Sequence, residues 1–285
     1  MTPRLLAPLC MLVLAACASP ATPPRAADIP AGVRYVLLGE VHDNPAGHAR
    51  RFEWLRTRVA AGWRPAIAME QFDRERQPAL DRALRECPDA ACVIQAAAPE
   101  AGAWQWPYYA PVIELALAHR LPLLAANLSR ADAARIVREG PAAALDAATR
   151  TRYGLDAPLP PALEAGQRQE IAQGHCNMLP ASVLPGMVRA QVARDAWMAK
   201  TLADATAPAV VLLAGNGHVR RDLGVAHWLP AGESLAIGYL EDASATAAAF
   251  DRIERIPAHP RGDPCAAFRG RPSPATPPAA PAGPT

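Results

Sequence analysis

The sequence predicts an α/β fold in which a mostly parallel sheet is flanked by helices, with a helical insertion acting as a lid. Two observations lead to this prediction. Short, continuous apolar runs alternate with longer segments of helical periodicity, and polar residues follow directly on the apolar runs. Strands that are apolar on both faces belong to sheets covered on both sides, which is the situation that crossover helices create in parallel sheets.

The individual elements follow from these patterns in chain order. The apolar runs predict strands at residues 33–38, 65–69, 121–125, 209–213 and 235–239. The helical patterns predict helices at residues 46–61, 74–85, 110–120, 130–139, 162–174 and 182–205. Residues 130–181 carry helical patterns without an intervening strand, so we expect the insertion there.

Length and charge limit the choice of function. A chain of 285 residues that is 51% apolar can bury one sizeable core, and we expect one domain with dispensable ends. Its 29 basic and 27 acidic residues nearly cancel, to a net charge of +2. This balance argues against a nucleic-acid partner.

The first residues have the pattern of a bacterial lipoprotein signal. Arg4 precedes an apolar stretch at residues 5–16, which is too short to span a bilayer, and "LAAC" ends at Cys17. We predict a signal peptide at residues 1–16 and lipidation of Cys17, where several acyl chains together give stable anchoring. The alternative is an ordinary signal peptide with a chance cysteine. Ala18, in place of aspartate, resembles lipoproteins sent to the outer membrane.

The composition divides the rest of the chain into three parts. Residues 17–32 are rich in proline and alanine and are predicted to be the lipidated cysteine and a flexible tether. Residues 33–256 are predicted to form the α/β domain. Residues 257–285 are richer still in proline and are predicted to be a disordered tail, the first part of which Cys265 could tie back to the domain.

Four cysteines remain after the signal and the lipid anchor, in a compartment where disulfides persist. They are Cys87, Cys92, Cys176 and Cys265, and they allow three pairings. We favour Cys87 with Cys92, because "CPDAAC" is a short turn-like loop, and Cys176 with Cys265 by elimination. A metal site is less favoured, since the spacings lack a repeated C-x-x-C unit.

Polar side chains follow four predicted strands, and the carboxyl ends of parallel strands share one edge of a sheet. The chief ones are Glu40, His42, Glu70, Asn127, Asn216 and His218. Taken singly, each is as consistent with a hydrogen-bonded structural group as with a functional one. Taken together, they predict a cleft, because burying so many ionisable groups without use would be costly. Glu40, His42, Glu70 and His218 could bind a divalent metal or divide acid and base work.

These residues also carry a family resemblance. The segments "LLGEVHDNPAGH", "AMEQF", "WQWPYYAPVIELA", "AANLSR", "GHCNMLP", "AQVARDAWMA" and "LLAGNGHVRRDLGV" resemble the ChaN family of haem-binding bacterial lipoproteins. That family belongs to a superfamily shared with Tiki/TraB proteases and erythromycin esterases. The resemblance implies attachment to the outer membrane, a role in haem or iron uptake beside a transport receptor, and a large haem pocket. It leaves open a homodimer that holds two stacked haems.

The resemblance implies a tyrosine ligand to haem iron. The chain offers Tyr35, Tyr108, Tyr109, Tyr153 and Tyr239, of which the first and last lie inside predicted strands. Tyr153 in the insertion, together with His175 at the end of a helix, is the first choice for iron contacts, since tyrosinate is a known haem ligand. The alternative for Tyr153 is a surface residue that packs an arginine-rich helix.

Further haem contacts are predicted around the cleft. Arg194 and Asp195 lie on the long amphipathic helix, from which their side chains could reach the cleft. Arg189 on the same helix is an alternative anchor for haem propionates through charge-assisted pairing. Asn127 and Asn216 complete the predicted cofactor-binding residues. The aromatic cluster Trp104, Trp106, Tyr108 and Tyr109 could supply a flat surface for a porphyrin or cap a core. For the helix charges, a solvated face is the alternative.

Two functions therefore compete. As a binding protein, the chain would hold haem at the outer membrane, on its periplasmic face or its surface. As a hydrolase, an esterase or peptidase, it would activate water with Glu40, His42, Glu70 and His218, directly or through a divalent metal. We favour haem binding, because the middle motifs and the lipobox resemble the ChaN branch, whereas the strand-end residues are common to the whole superfamily.

Overall fold

The computed structural model of the protein describes residues 29–99, 104–242 and 249–266. Within these residues the sheet has six strands: β1 (Tyr35–Leu38), β2 (Ala66–Asp73), β3 (Leu123–Asn127), β4 (Val210–Leu213), β5 (Ser234–Leu240) and β6 (Arg252–Arg255). Their order is β3-β2-β4-β1-β5-β6, and every neighbouring pair is parallel. The predicted α/β fold with a parallel sheet is confirmed.

Helices cover both faces of this sheet. They are α1 (Pro45–Ala60), α2 (Gln77–Glu86), α3 (Ala90–Ala97), α4 (Ala110–His119), α5 (Arg130–Glu139), α6 (Ala147–Arg152), α7 (Pro161–Gly174), α8 (Leu184–Asp204) and α9 (Asn216–Val219). No strand interrupts α5 to α7, which form the predicted helical insertion. In the described parts of the chain, no helix combines the length and apolarity that crossing a membrane would take.

The alternation of side chains along the strands explains the two-faced core. Tyr35 and Leu37 of β1 face one apolar cluster, which α8 completes, and Val36 and Leu38 face the other, which includes Leu55 of α1. Successive side chains of a strand point to opposite faces, so a continuous apolar run buries both. The sheet therefore leaves its two edges and its strand ends for polar groups.

Some elements differ from the sequence prediction. Strand β2 continues to Asp73, four residues beyond the predicted end at Met69, because Glu70 and Gln71 are themselves buried. Strand β6 was not predicted, since the edge sequence "RIER" has no continuous apolar run. Helices α3, α6 and α9 were also not predicted. They are short, and Asp89 and Asp146 cap the first two by accepting backbone hydrogen bonds.

The cysteines pair as the sequence favours, Cys87 with Cys92 and Cys176 with Cys265. The second bridge holds the beginning of the proline-rich tail against the domain. The same segment is bound near its start, where the amide of Asn44 donates to the carbonyl of Pro257 at 2.8 Å. Arg261 then pairs with Asp43 at 2.8 Å and with Glu241 at 2.7 Å.

The remaining predictions about the ends of the chain fall on residues that the structure does not describe. The signal peptide at residues 1–16, Cys17, most of the tether and the tail beyond residue 266 lie outside the described residues. They stay predictions.

Candidate functional site

The carboxyl ends of three neighbouring strands bring the predicted acids and imidazoles together. Strand β4 lies between β1 and β2, so the loops after β1 and β4 lie beside the end of β2. Glu40 and His42 follow β1, His218 follows β4, and Glu70 belongs to β2. All four side chains lie in two connected networks at this edge.

The first network is built around the carboxylate of Glu40, which is 3% exposed. Its Oε2 forms an ion pair with Arg51, and its Oε1 accepts the hydroxyl of Tyr109 at 2.6 Å and Nδ1–H of His42 at 2.7 Å. Burial alone would raise the pKa of Glu40, but the Arg51 charge and the His42 hydrogen bond hold it well below its usual range. Glu40 is therefore a fixed anion that orients His42.

His48 supports the same network in its neutral form. Its Nδ1 accepts from Arg51 at 3.1 Å, and its Nε2–H donates to the backbone carbonyl of His42 at 3.0 Å. Burial and the neighbouring Arg51 lower the pKa of His48. Tyr108 stacks on its ring at a centroid distance of 4.8 Å. The hydrogen bonds thus fix the tautomer of His48 and the backbone beside His42.

His42 is the member of this network that solvent reaches, with half of its side chain exposed. Trp104 contacts its ring edge at a centroid distance of 5.1 Å. Burial lowers the pKa of His42, while the bond to Glu40 and the charge of Glu70 raise it, and the net effect is a raised pKa. Because Nδ1 is engaged by Glu40, Nε2 is the ring atom available for exchanging a proton with a ligand.

Gly215 lets His42 approach the second network. A Cβ at this position would lie 3.0 Å from both Cε1 and Nε2 of His42 and 3.8 Å from Oε2 of Glu70. Such a contact with the ring is tighter than side chains normally make. Gly215, the first glycine of the sequence "AGNGH", is therefore needed for close packing of the His42 imidazole. The backbone N–H of Gly215 also donates to Oε2 of Glu70 at 2.8 Å.

The second network is a buried acid–imidazole–acid chain. Nδ1–H of His218 donates to Oδ1 of Asp195 at 2.6 Å, and its Nε2 lies 3.4 Å from Oε1 of Glu70. Burial opposes charge on His218, but the two carboxylates raise its pKa to about 10. The pKa of Glu70 is lowered to about 2, against the effect of burial, chiefly by His218. Burial raises the pKa of Asp195. His218 is thus a cation held between two acids.

These contacts decide what each predicted residue can do. Both ring nitrogens of His218 face acids, and Glu40 is enclosed by donors, so His42 remains as the open acid–base group. In the part of the chain that the structure describes, no group of three or more His, Cys, Asp or Glu side chains is arranged to hold a metal ion. The prediction of a divalent metal on Glu40, His42, Glu70 and His218 has no support from this geometry.

The predicted cofactor residues occupy several places. Arg194 and Asn127 lie together, with Nη1 of Arg194 at 3.3 Å from Oδ1 of Asn127, in a cleft of about 480 Å³ that Trp104 also lines. Asn216 lies between β4 and β5, where its amide donates to the carbonyl of Tyr239 at 2.7 Å and accepts from its N–H at 3.0 Å. Both ends of the Asn216 amide are thus used within the fold.

The structure does not bring Tyr153 and His175 into one cavity. Tyr153 lines a cavity of about 920 Å³ together with Arg34 and Tyr35, at the amino end of β1. His175 ends α7, donates from Nδ1 to the carbonyl of Ile171 at 2.8 Å, and lines a cavity of about 250 Å³ with residues that flank His218. The two predicted iron contacts thus lie near opposite ends of the parallel strands.

Arg189 lies in yet another place. It lines a largely apolar cavity of about 400 Å³ between the insertion and α8, with Leu155, Leu159, Val188 and Val192. Its Nη2 donates to the carbonyl of Val137 at 3.3 Å.

Sequence reasoning missed three contributors to the site: Arg51, His48 and Gln71. A signal for the first two exists, because His48, Arg51, Leu55 and Val59 recur at helical spacing and all are buried on one face of α1. Gln71 was missed because the predicted β2 ended before it. The aromatic cluster was predicted as a porphyrin surface or a core cap. Tyr109 of this cluster is fully buried, and its hydroxyl donates a hydrogen bond to Glu40.

Solved structures of other proteins are similar to this chain. ChaN of Campylobacter jejuni, whose structure is described as showing cofacial haem binding, matches with a TM-score of 0.58 and 19% identity, over 74% of this chain and 83% of that one. An erythromycin esterase EreC mutant in its open conformation gives a TM-score of 0.44 at 14% identity, over 73% of this chain and 70% of that one. No protein of curated function matches the sequence.

The family model described as haem-binding uptake, Tiki superfamily, ChaN matches residues 27–229. This match covers both networks, the helical insertion and all of α8 and β4. Since it spans well over half of the chain, it carries more weight than any single structural likeness. The chain therefore belongs to the ChaN family of haem-binding uptake proteins within the Tiki superfamily.

Proposed function

We propose that this protein binds haem at the bacterial outer membrane and serves haem or iron uptake. The observation that carries the proposal is the match of the haem-binding uptake family over residues 27–229. The lipid anchor at Cys17 would hold the protein at the membrane, and a transport receptor would exchange haem with it. The anchor rests on the sequence pattern of the first residues, and the receptor rests on the resemblance to the uptake family.

The proposed haem site is the cavity around Tyr153. Its volume is about 920 Å³, which lies in the range of small-molecule and cofactor sites. Trp228 packs edge-on against the ring of Tyr153, with the ring centroids 6.4 Å apart. Arg34 on the wall would pair with a propionate, whereas Arg152 is already paired with Asp204 at 2.8 Å. On haem binding the Tyr153 phenol would lose its proton to solvent, and its phenolate oxygen would hold the iron, which would supply the Lewis acidity that favours this deprotonation. Burial raises the pKa of Tyr153, so the free phenol is neutral.

The position of His175 bears on how many chains and haems form the complex. Tyr153 and His175 line separate cavities of one chain, so one haem within this chain does not reach both. A haem that contacts both residues would lie between two copies. Cofacial haem binding is described for Campylobacter jejuni ChaN, and for this chain we propose a homodimer that brings two haems together. Met178 and Val183, the exposed large apolar residues in the described chain, follow His175 within eight residues of sequence.

Haemin titration tests the proposal. The chain from residue 18 onward is titrated with haemin, and its absorption spectrum and sedimentation are recorded. We expect a tyrosinate-type haem spectrum that Tyr153→Phe abolishes and Tyr108→Phe retains, and dimerisation on haem binding that His175→Ala weakens and His119→Ala does not. A free-haemin spectrum at every ratio would end the haem proposal. If the chain binds haem as a monomer, and if His175→Ala leaves that binding unchanged, the proposal of a haem-linked homodimer is wrong.

The membrane location has its own test. Mass spectrometry of the full chain purified from membranes should show acylation at Cys17, and fractionation should place it with the outer membrane. Cys17→Ala should release the chain from that fraction. Retention of the variant in the outer membrane would contradict lipid anchoring.

The hydrolase alternative has the oriented Glu40–His42 pair in its favour. The family match favours haem binding over this alternative. An esterase and peptidase screen with His42→Ala as control would detect turnover, and none is expected.

A further inference from the structure

The cleft lined by Asn127, Arg194 and Trp104 opens beside His42, at the carboxyl ends of β2 and β3. It has a volume of about 480 Å³. The polar side chains that line it are Gln71, Asp73, Arg76, Asn127, Arg130 and Arg194. Among the described lining residues, three guanidinium groups thus face one carboxylate, so this part of the lining has an excess of positive charge.

Few of the described residues contact the guanidinium groups of this cleft. Among the described residues, neither Arg76 nor Arg130 forms a hydrogen bond or an ion pair, and Arg194 contacts only Asn127, at 3.3 Å. Elsewhere, Arg51 and Arg261 pair closely with acids. Uncompensated guanidinium groups that converge on one cavity are the usual means by which proteins bind phosphate or carboxylate groups.

The single acid does not neutralise them. The carboxylate of Asp73 accepts the amide of Asn127 at 2.9 Å, and burial raises its pKa despite the nearby Arg194 and Arg76. This bond also directs the carbonyl oxygen of Asn127 toward Arg194. Asp73 therefore positions Asn127 and Arg194 and leaves the other two arginines available.

Gln71 supplies an independent sign of a ligand. It is 4% exposed, and its Oε1 is buried without a hydrogen-bond partner in the described structure. Its Nε2–H lies 3.4 Å from Glu40, and since that carboxylate only accepts, the amide cannot be turned around. A buried acceptor without a donor destabilises the folded protein. A ligand hydroxyl or amine at this end of the cleft would satisfy it.

We propose that this cleft binds a small anion that carries a phosphate group and a neighbouring hydroxyl donor, such as a phosphorylated polyol. Arg76, Arg130 and Arg194 would hold the phosphate, and Gln71 would accept from the hydroxyl. Trp104 lines the cleft and contacts His42, so the bound molecule would lie beside the open imidazole. The site is separate from the Tyr153 cavity at the amino end of β1, and its ligand is therefore additional to haem.

Calorimetric titration of the chain from residue 18 onward with glucose 6-phosphate, inorganic phosphate and glucose tests this site. We expect glucose 6-phosphate to bind more tightly than phosphate, glucose not to bind, and affinity to fall as salt rises. The double variant Arg76→Ala/Arg130→Ala should weaken binding roughly tenfold or more. Arg138→Ala, an exposed position of α5 outside the cleft, is the matched control.

Gln71→Met separates the two parts of the proposed contact. It should remove the preference for glucose 6-phosphate over phosphate while phosphate binding persists. No saturable binding of either anion, or equal binding by wild type and the double arginine variant, would overturn the proposal. So would competition between glucose 6-phosphate and haemin, because that result would make this cleft a propionate site. Haemin binding that glucose 6-phosphate leaves unchanged supports two separate sites.

Discussion

Oδ1 of Asp195 lies 2.6 Å from Nδ1 of His218, and both side chains are almost completely buried. The contact joins the middle of α8 to the short helix α9 after β4 and completes the chain from Asp195 through His218 to Glu70. Placing Asp195 on an amphipathic helix predicted that its side chain reaches this edge of the sheet. The structure shows that it meets His218 there.

Loss of the Asp195 charge should destabilise the fold. Asp195→Asn keeps the shape of the side chain but leaves His218 with a single acid partner. Breaking a buried ion pair costs about 3–5 kcal/mol, and we expect a loss of free energy of unfolding of that order in urea denaturation. Asp222→Asn removes an exposed partner of Arg220 and should cost at most about 1 kcal/mol. Equal losses in the two variants would contradict the central role of the buried pair.

The same network predicts how stability depends on alkaline pH. The pKa of His218 rises from 6.5 to about 10 on folding, so its contribution is complete below about pH 6.5 and is lost as pH rises through about 10. We expect the free energy of unfolding to fall by about 2–5 kcal/mol over this window. His218→Gln should be less stable at pH 7 but should show a much flatter decline. Parallel declines in both proteins would disprove the assignment.

Gly215 and Gly217 offer a matched pair of substitutions. A Cβ at Gly215 would lie 3.0 Å from the His42 ring, whereas a Cβ at Gly217 would meet nothing within 4 Å. Gly215→Ala should cost about 1–3 kcal/mol through overpacking and should shift the imidazole titration of His42 measured by NMR. Gly217→Ala should leave that titration unchanged. An unshifted His42 signal in the first variant would show that the ring does not need this space.

The two disulfides should contribute unequally to stability. Cys176 and Cys265 are 89 residues apart in sequence, whereas Cys87 and Cys92 are 5 apart. By the chain-entropy relation, replacing the first pair with serines should cost about 4–5 kcal/mol, and replacing the second about 2 kcal/mol. Thermal unfolding measures the difference, and hydrogen exchange should rise at residues 257–266 only without the first bridge. Equal costs would mean that chain entropy is not the source.

Local pattern was sufficient for the fold class and for the main elements. The apolar runs that became β1, β3, β4 and β5 were recognisable because each is buried on both faces, and α5 matches its predicted bounds of 130–139. The convergence of Glu40, His42, Glu70 and His218 also followed from sequence, since parallel strands end at one edge. The charged edge strand β6 and the polar end of β2 lacked a local signal.

The amino-acid sequence by itself determined the parallel α/β fold, the helical insertion and the membership of a haem-binding family, because periodicity and motif order are local properties. The tertiary structure alone decided which side chains contact each other. It pairs Arg51 with Glu40 and Asp195 with His218, and it places Tyr153 in a cavity apart from His175. These contacts join residues that are distant in sequence or carried by different elements. Their existence depends on the strand order and on how α1 and α8 pack, which no local pattern encodes.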